Sequence, residues 1–219
     1  MNKGLLSLLL LVTVLFSCKS KNTYREGVLT YDITYLDDKH ENQIIELLPD
    51  QVQIKFKEDN TAIIIEGFWG TFQLKFITNK DLKKNYTLLR VLDKTFYVEN
   101  SIDSINAGFA SFNDLRISLD KTDTAMVAGL FCYSANVINK TLCDSVLKFY
   151  YTYDVQIKNP NAGSPYKDID GVLTKFTTEV AGIKMQFELK EVKEMPIDEK
   201  EFLLQKDTKK FQKKNLKTL

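Results

Sequence analysis

The reactive side chains of this sequence are few and scattered. There is one histidine, His40, inside the charged break Asp37-Asp38-Lys39-His40, where it reads as a solvated loop residue. No serine, cysteine or carboxylate lies near it in a spacing that would build a nucleophile and base. Acids are plentiful, but Asp37-Asp38, Asp168–Asp170 and Glu191/Glu194 fall in loops and strand edges. Asp168-Ile169-Asp170-Gly171 lacks the later acids and the 12-residue span of a calcium loop. No glycine-rich phosphate loop is present. Two thiols, Cys132 and Cys143, have no neighbouring histidine and fall short of a metal ligand set. They either form a disulfide or remain two buried free thiols. The expectation is therefore no catalytic set, no metal and no cofactor.

The third thiol is different. Cys18 follows Lys3, the apolar run Leu5–Phe16 and Ser17. A basic start, an apolar stretch of about 7–15 residues and a small residue before the cut make a secretory signal. The run is too short for a spanning helix, which takes about 20 apolar residues. Leu15-Phe16-Ser17-Cys18 resembles the bacterial lipobox. The resemblance implies diacylglycerol on the Cys18 thiol, cleavage before it and acylation of the new amino terminus. The expected partner is then a membrane, held through Cys18. Lys19 follows where an aspartate would retain the chain at the inner membrane, and Lys19-Ser20-Lys21-Asn22 carries no acid. That favours the outer membrane, facing the periplasm, over the cell surface.

The elements that would position a site are nearly all strands. With residues 1–17 as the signal and 18–24 as a polar tether, one domain spans 25–205, and a lysine-rich tail spans 206–219. The 30 basic and 29 acidic residues balance, which gives no case for nucleic acid. Gly27–Leu36 alternates with Leu29, Tyr31, Ile33 and Tyr35 on one face, the period of a half-buried strand. Gln51–Lys57, Thr71–Thr78, Val146–Asp154 and Ile183–Lys193 alternate likewise, Thr61–Glu66 is β-branched and strand-like, and Val172–Val180 is a further strand ahead of a turn at Ala181-Gly182. Tyr86–Leu92 and Thr95–Asn100 make a hairpin about Asp93-Lys94. Leu115–Leu119 is a short strand, Asp120–Thr124 a turn, and Ala125–Ile138 a long strand with Gly129 inside it as a bulge or a point of close approach. Ile102, Ile105, Phe109 and Phe112 have helical spacing, so Ser101–Asn113 predicts a short amphipathic helix across the sheet. Asp198 with Glu201 predicts a capped C-terminal turn. Lys158–Gly171 is the longest irregular stretch. Trp69, between two glycines, reads as a packed corner. The fold class is mainly β: one large, curved antiparallel sheet or incomplete barrel with one or two short helices.

Glu26-Gly27-Val28-Leu29-Thr30-Tyr31, the hairpin Tyr86–Glu99, Ala128-Gly129-Leu130-Phe131-Cys132 and the ending Val192–Phe202 together resemble the lipoprotein-carrier family of LolA and LolB. The likeness covers most of residues 25–205. It implies a strongly curved, incomplete barrel with helices over an apolar groove that takes acyl chains. A membrane anchor makes the chain more like LolB than the soluble LolA. The groove would be lined by Tyr31, Ile33, Leu89, Phe149, Tyr151, Met185 and Phe187. Two functions stay open: a non-enzymatic binding module for a lipid or lipoprotein acyl chain, or an interaction lipoprotein with a filled scaffold and unknown protein partners.

Overall fold

The computed structural model describes residues 23–37, 43–67, 70–106, 109, 115–139, 146–205 and 208–210. Cys18, His40, Trp69, Cys143 and nearly all of the lysine-rich tail lie outside the described residues. The strands are β1 (Glu26–Tyr35), β2 (Gln51–Lys57), β3 (Asn60–Gly67), β4 (Phe72–Asn79), β5 (Lys84–Val91), β6 (Lys94–Ser101), β7 (Arg116–Val127), β8 (Leu130–Ile138), β9 (Val146–Thr152), β10 (Val172–Val180), β11 (Ile183–Glu194) and the two-residue β12 (Lys209–Lys210). They form one 12-stranded sheet in the order β12-β6-β5-β4-β3-β2-β1-β11-β10-β9-β8-β7, curved and not closed into a barrel. Neighbours run antiparallel, except that β12 joins β6 in parallel. The first strand is thus central, a seam between the meander β2–β6 and the meander β7–β11.

Hairpin geometry follows the residues at the turns. Ala128-Gly129 and Ala181-Gly182 both have positive φ at both positions (50° and 77°; 53° and 81°). That is the two-residue turn whose twist matches flanking strands. Ala181-Gly182 lies where the sequence predicts a turn. Gly129 does not sit inside a strand as expected: it closes the β7–β8 hairpin, with Val127 opposite Leu130. Conversely, Asp120–Thr124 is no turn but a bulge within β7. Its Asp120 carboxylate accepts hydrogen bonds from the Thr122 amide, the Thr122 hydroxyl and the Asp123 amide, so the side chain shapes the bulge.

The expected helix over Ser101–Asn113 is absent among the described residues of that segment. Ser101 ends β6, residues 102–104 turn, and Phe109 makes an isolated antiparallel bridge with Val180. The apolar spacing still has a physical reason: Phe109 packs its ring on Phe76, with centroids 5.6 Å apart. The C-terminal turn is a 3-10 turn, Glu199–Phe202, with Asp198 as its cap accepting from the Lys200 amide. Glu201 does not close a capping box there. It turns to Lys55 and Lys75 instead.

Alternation in β1 to β5 divides the burial between two faces. Leu29, Tyr31, Val52, Phe56 and Phe76 join Met185, Phe187 and Leu189 of β11 in the largest apolar cluster. Val28, Ala62, Ile77, Tyr86 and Leu88 point the other way and are covered by Ile197 and Phe202. A third cluster forms where Tyr166 and Ile169 of the irregular stretch pack against Ala135, Val137, Phe149 and Tyr151. That stretch is not a free loop: the Tyr166 hydroxyl donates to the Thr177 carbonyl at 2.7 Å.

Candidate functional site

The candidate site is the apolar face of the curved sheet. Six of the seven expected groove residues are buried there, Tyr31, Ile33, Phe149, Tyr151, Met185 and Phe187, while Leu89 is 37% exposed. Leu89 opposes Phe96 near the β12–β6 end of the sheet, where few elements cover it. Tyr31, Ile33, Met185 and Phe187 share one cluster, whereas Phe149 and Tyr151 belong to the next.

Phe176 joins the two, and it is the residue the sequence reading missed. Its ring stacks on Phe187 at 5.0 Å and meets Phe149 and Tyr31, each at 6.2 Å. Aromatic pairs prefer centroid separations of about 4.5–7 Å. The available signal was its place in the alternation Val172, Thr174, Phe176, Thr178, Val180. The bulge between Leu173 and Lys175, which sets that phase against β9, has no sequence mark.

Two small voids lie on this face. One, of about 40 Å³, is bounded by Tyr31, Ile63, Phe109, Thr178, Val180 and Phe187, among others. The second, of about 70 Å³, lies between Phe76, Asn106, Phe109, Tyr166 and Leu173. Phe109, Phe76, Ile63 and Phe176 border both. Each has room for one or a few water-sized molecules, so the face as it stands is nearly filled.

Burial shifts several of its titratable groups away from ionisation. Burial raises the Tyr31 phenol far above its ordinary value, with Cys132 adding to the effect. Burial also pushes Tyr151 up to about 12, assisted by Tyr153. Burial raises the Cys132 thiol too, against hydrogen bonds that lower it. A nucleophilic cysteine needs the opposite shift. Cys132 is free and buried, and the Thr174 hydroxyl lies 3.3 Å from its sulfur. The disulfide considered for Cys132 with Cys143 is therefore not made at Cys132. Cys132 pairs with Thr152 across the β8–β9 ladder, and Cys143 lies outside the described residues. Among the described residues no three His, Cys, Asp or Glu side chains gather as a metal site.

The opposite face carries a charged network under the C-terminal segment. Lys55 and Lys75 meet the Glu201 carboxylate at 2.7 and 3.1 Å. Burial works to raise the Glu201 carboxyl, but the two lysine hydrogen bonds outweigh it and leave it below its ordinary value. A depressed carboxyl stabilises the fold above the unfolded value and loses that contribution as pH falls through the folded one. Glu201→Gln is therefore expected to cost about 1 kcal/mol at neutral pH, after allowance for solvent screening. The deficit should vanish on acidification well below pH ~4. Urea midpoints at pH 7 and pH 3 check this; an equal deficit at both would refute it.

Three open depressions, of about 410, 500 and 250 Å³, are lined by side chains of both charges and belong to no cluster of reactive groups. No family model matches the chain, and no curated protein matches it. Among solved structures, a DUF1329 family protein from Desulfovibrio piger aligns over 84% of this chain and 92% of its own, at 12% identity and a TM-score of 0.24. At that score the likeness assigns no family.

Proposed function

We propose that the chain is a non-enzymatic envelope lipoprotein of LolA/LolB-like architecture. It is held through Cys18 on the periplasmic side of the outer membrane, and its curved sheet receives an apolar chain. The observation that carries this reading is the position of Phe109. Its aromatic ring, supplied by a short bridge to Val180 rather than by a strand of the sheet, borders both small voids on the buried face, together with Ile63, Phe76 and Phe176. A ligand chain would take the place of that ring and of the voids that it borders. Phe176, Phe187 and Tyr31 would form the floor.

The alternative is an interaction lipoprotein with a filled scaffold, and the small size of the voids favours it. Native mass spectrometry of the full chain, extracted in mild detergent, separates the two. Binding predicts a population carrying an additional fatty acid or phospholipid beyond the acylation on Cys18. A chain that is uniformly free of extra lipid, across preparations and after incubation with fatty acid, would leave the filled scaffold standing.

A further inference from the structure

The sheet has two ends, and strand directions fix what lies at each. β1 runs away from Glu26, so Glu26, Val127, Leu130 and Thr152 share one end. Leu92, at the tip of the β5–β6 hairpin, lies at the other. The chain enters at the first end. The Tyr24 amide donates to the Asp154 carbonyl at 2.9 Å, and the Gln156 amide donates to the Tyr24 carbonyl at 2.7 Å. The N-terminal segment is thereby pinned beside Asp154.

An exposed apolar patch sits against that pin. The Phe131 amide donates to the Asp154 carboxylate at 3.1 Å. Phe131 is 41% exposed, its cross-strand partner Met126 is 65% exposed, and Tyr153 is 37% exposed. Tyr133 ties them together, with ring centroids 5.2 Å from Phe131 and 5.8 Å from Tyr153. Tyr153 in turn meets Tyr151 of the buried face at 5.6 Å. The row of rings therefore continues from the interior to this rim. Arg25 and Lys158 are close by, but so are Glu58, Asp59 and Asp170. Charge there is mixed, and the apolar side chains set the character of the surface.

We infer that the patch of Met126, Phe131, Tyr133 and Tyr153 rests on the lipid surface of the membrane, which turns the Tyr24 end of the sheet toward the bilayer. The inference rests on the attachment at Cys18. Five residues separate Cys18 from Tyr24, which limits the tether to about 20 Å. A chain held that closely brings the Tyr24 end of the sheet to the headgroups. Aromatic side chains favour that depth, where an apolar body and a polar tip are both satisfied.

Photo-crosslinking in the full chain tests this. Benzoylphenylalanine is placed singly at Met126, at Phe131 or at Leu92, which is 67% exposed at the opposite end. Membranes are irradiated, and adducts are identified by mass spectrometry. Phospholipid adducts are expected at 126 and 131 at about ten times the yield at 92, as for side chains resting in the headgroup region. Equal yields at both ends, protein adducts in place of lipid at 126, or adducts at 92 alone would each overturn the inference. The N-terminal peptide and vesicle flotation report separately on attachment. An acylated, floating chain with a silent position 126 discards only the patch. An unacylated chain that stays in solution discards the attachment and the patch together.

Discussion

Phe109→Ala should open the apolar face while leaving the sheet paired. Truncating a buried phenylalanine costs about 3–5 kcal/mol, but Phe109 is only half-buried and lies on a single bridge. A loss of about 2 kcal/mol is expected. The more telling effect is on ligand uptake. Removing the ring enlarges the two voids that it borders, toward a space on the order of 150 Å³, the size at which an apolar cavity admits benzene. The variant should bind benzene, and should enhance the fluorescence of N-phenyl-1-naphthylamine, well above the unsubstituted chain. Titration with both probes, beside urea unfolding, gives the answer. A variant that loses stability without gaining probe binding has collapsed around the deletion, which would favour the filled scaffold.

The second large effect falls on the first strand. Gly27 lies at the start of β1, the central strand, between Phe56 of β2 and Glu194 of β11. Its φ is +153°, and a Cβ there would run into the Lys193 carbonyl oxygen, with the Glu194 Cα 3.2 Å away. Both obstacles are backbone of the paired strand, which cannot yield without breaking register. Gly27→Ala is expected to destabilise by about 4 kcal/mol, enough to unfold a marginal domain. Gly182→Ala is the control. Gly182 also has positive φ, +81°, but nothing lies within 4 Å of the added carbon. Only the backbone preference is lost there, about 1 kcal/mol. Denaturant midpoints should separate the two variants clearly; similar midpoints would show that the crowding at Gly27 is relieved cheaply.

Much of the sheet was legible in the sequence because a strand with one buried face must alternate. Leu29, Tyr31 and Ile33 do so in β1, and Met185, Phe187 and Leu189 do so in β11, and both sets are buried. The Ala181-Gly182 turn was legible for a similar reason, since few residues accept positive φ. Failures came where one local pattern serves two geometries. Gly129 suits a bulge or a turn, and only the pairing of Val127 with Leu130 decides for the turn. Asp120 to Thr124 has turn chemistry, yet the chain spends it on a bulge inside β7. The spacing of Ile102, Ile105 and Phe109 matches a helix, but Phe109 enters the interior from a bridge. Leu89 alternates as well as any inward residue, yet among the described residues it stays 37% exposed.

By itself, then, the sequence determined the strands, most of their inward faces and the motif at Cys18, because these rest on period-2 burial and on a short contiguous signal. The tertiary structure alone decided that β1 lies at the centre of the sheet, that Phe176 links two aromatic clusters, and that Phe109 borders both remaining voids. It also decided that the aromatic rim stands beside the point where the chain enters the fold. These depend on which strands become neighbours and where bulges shift register. Pairing between residues more than a hundred positions apart, such as Tyr31 with Leu189, leaves no local trace in the chain.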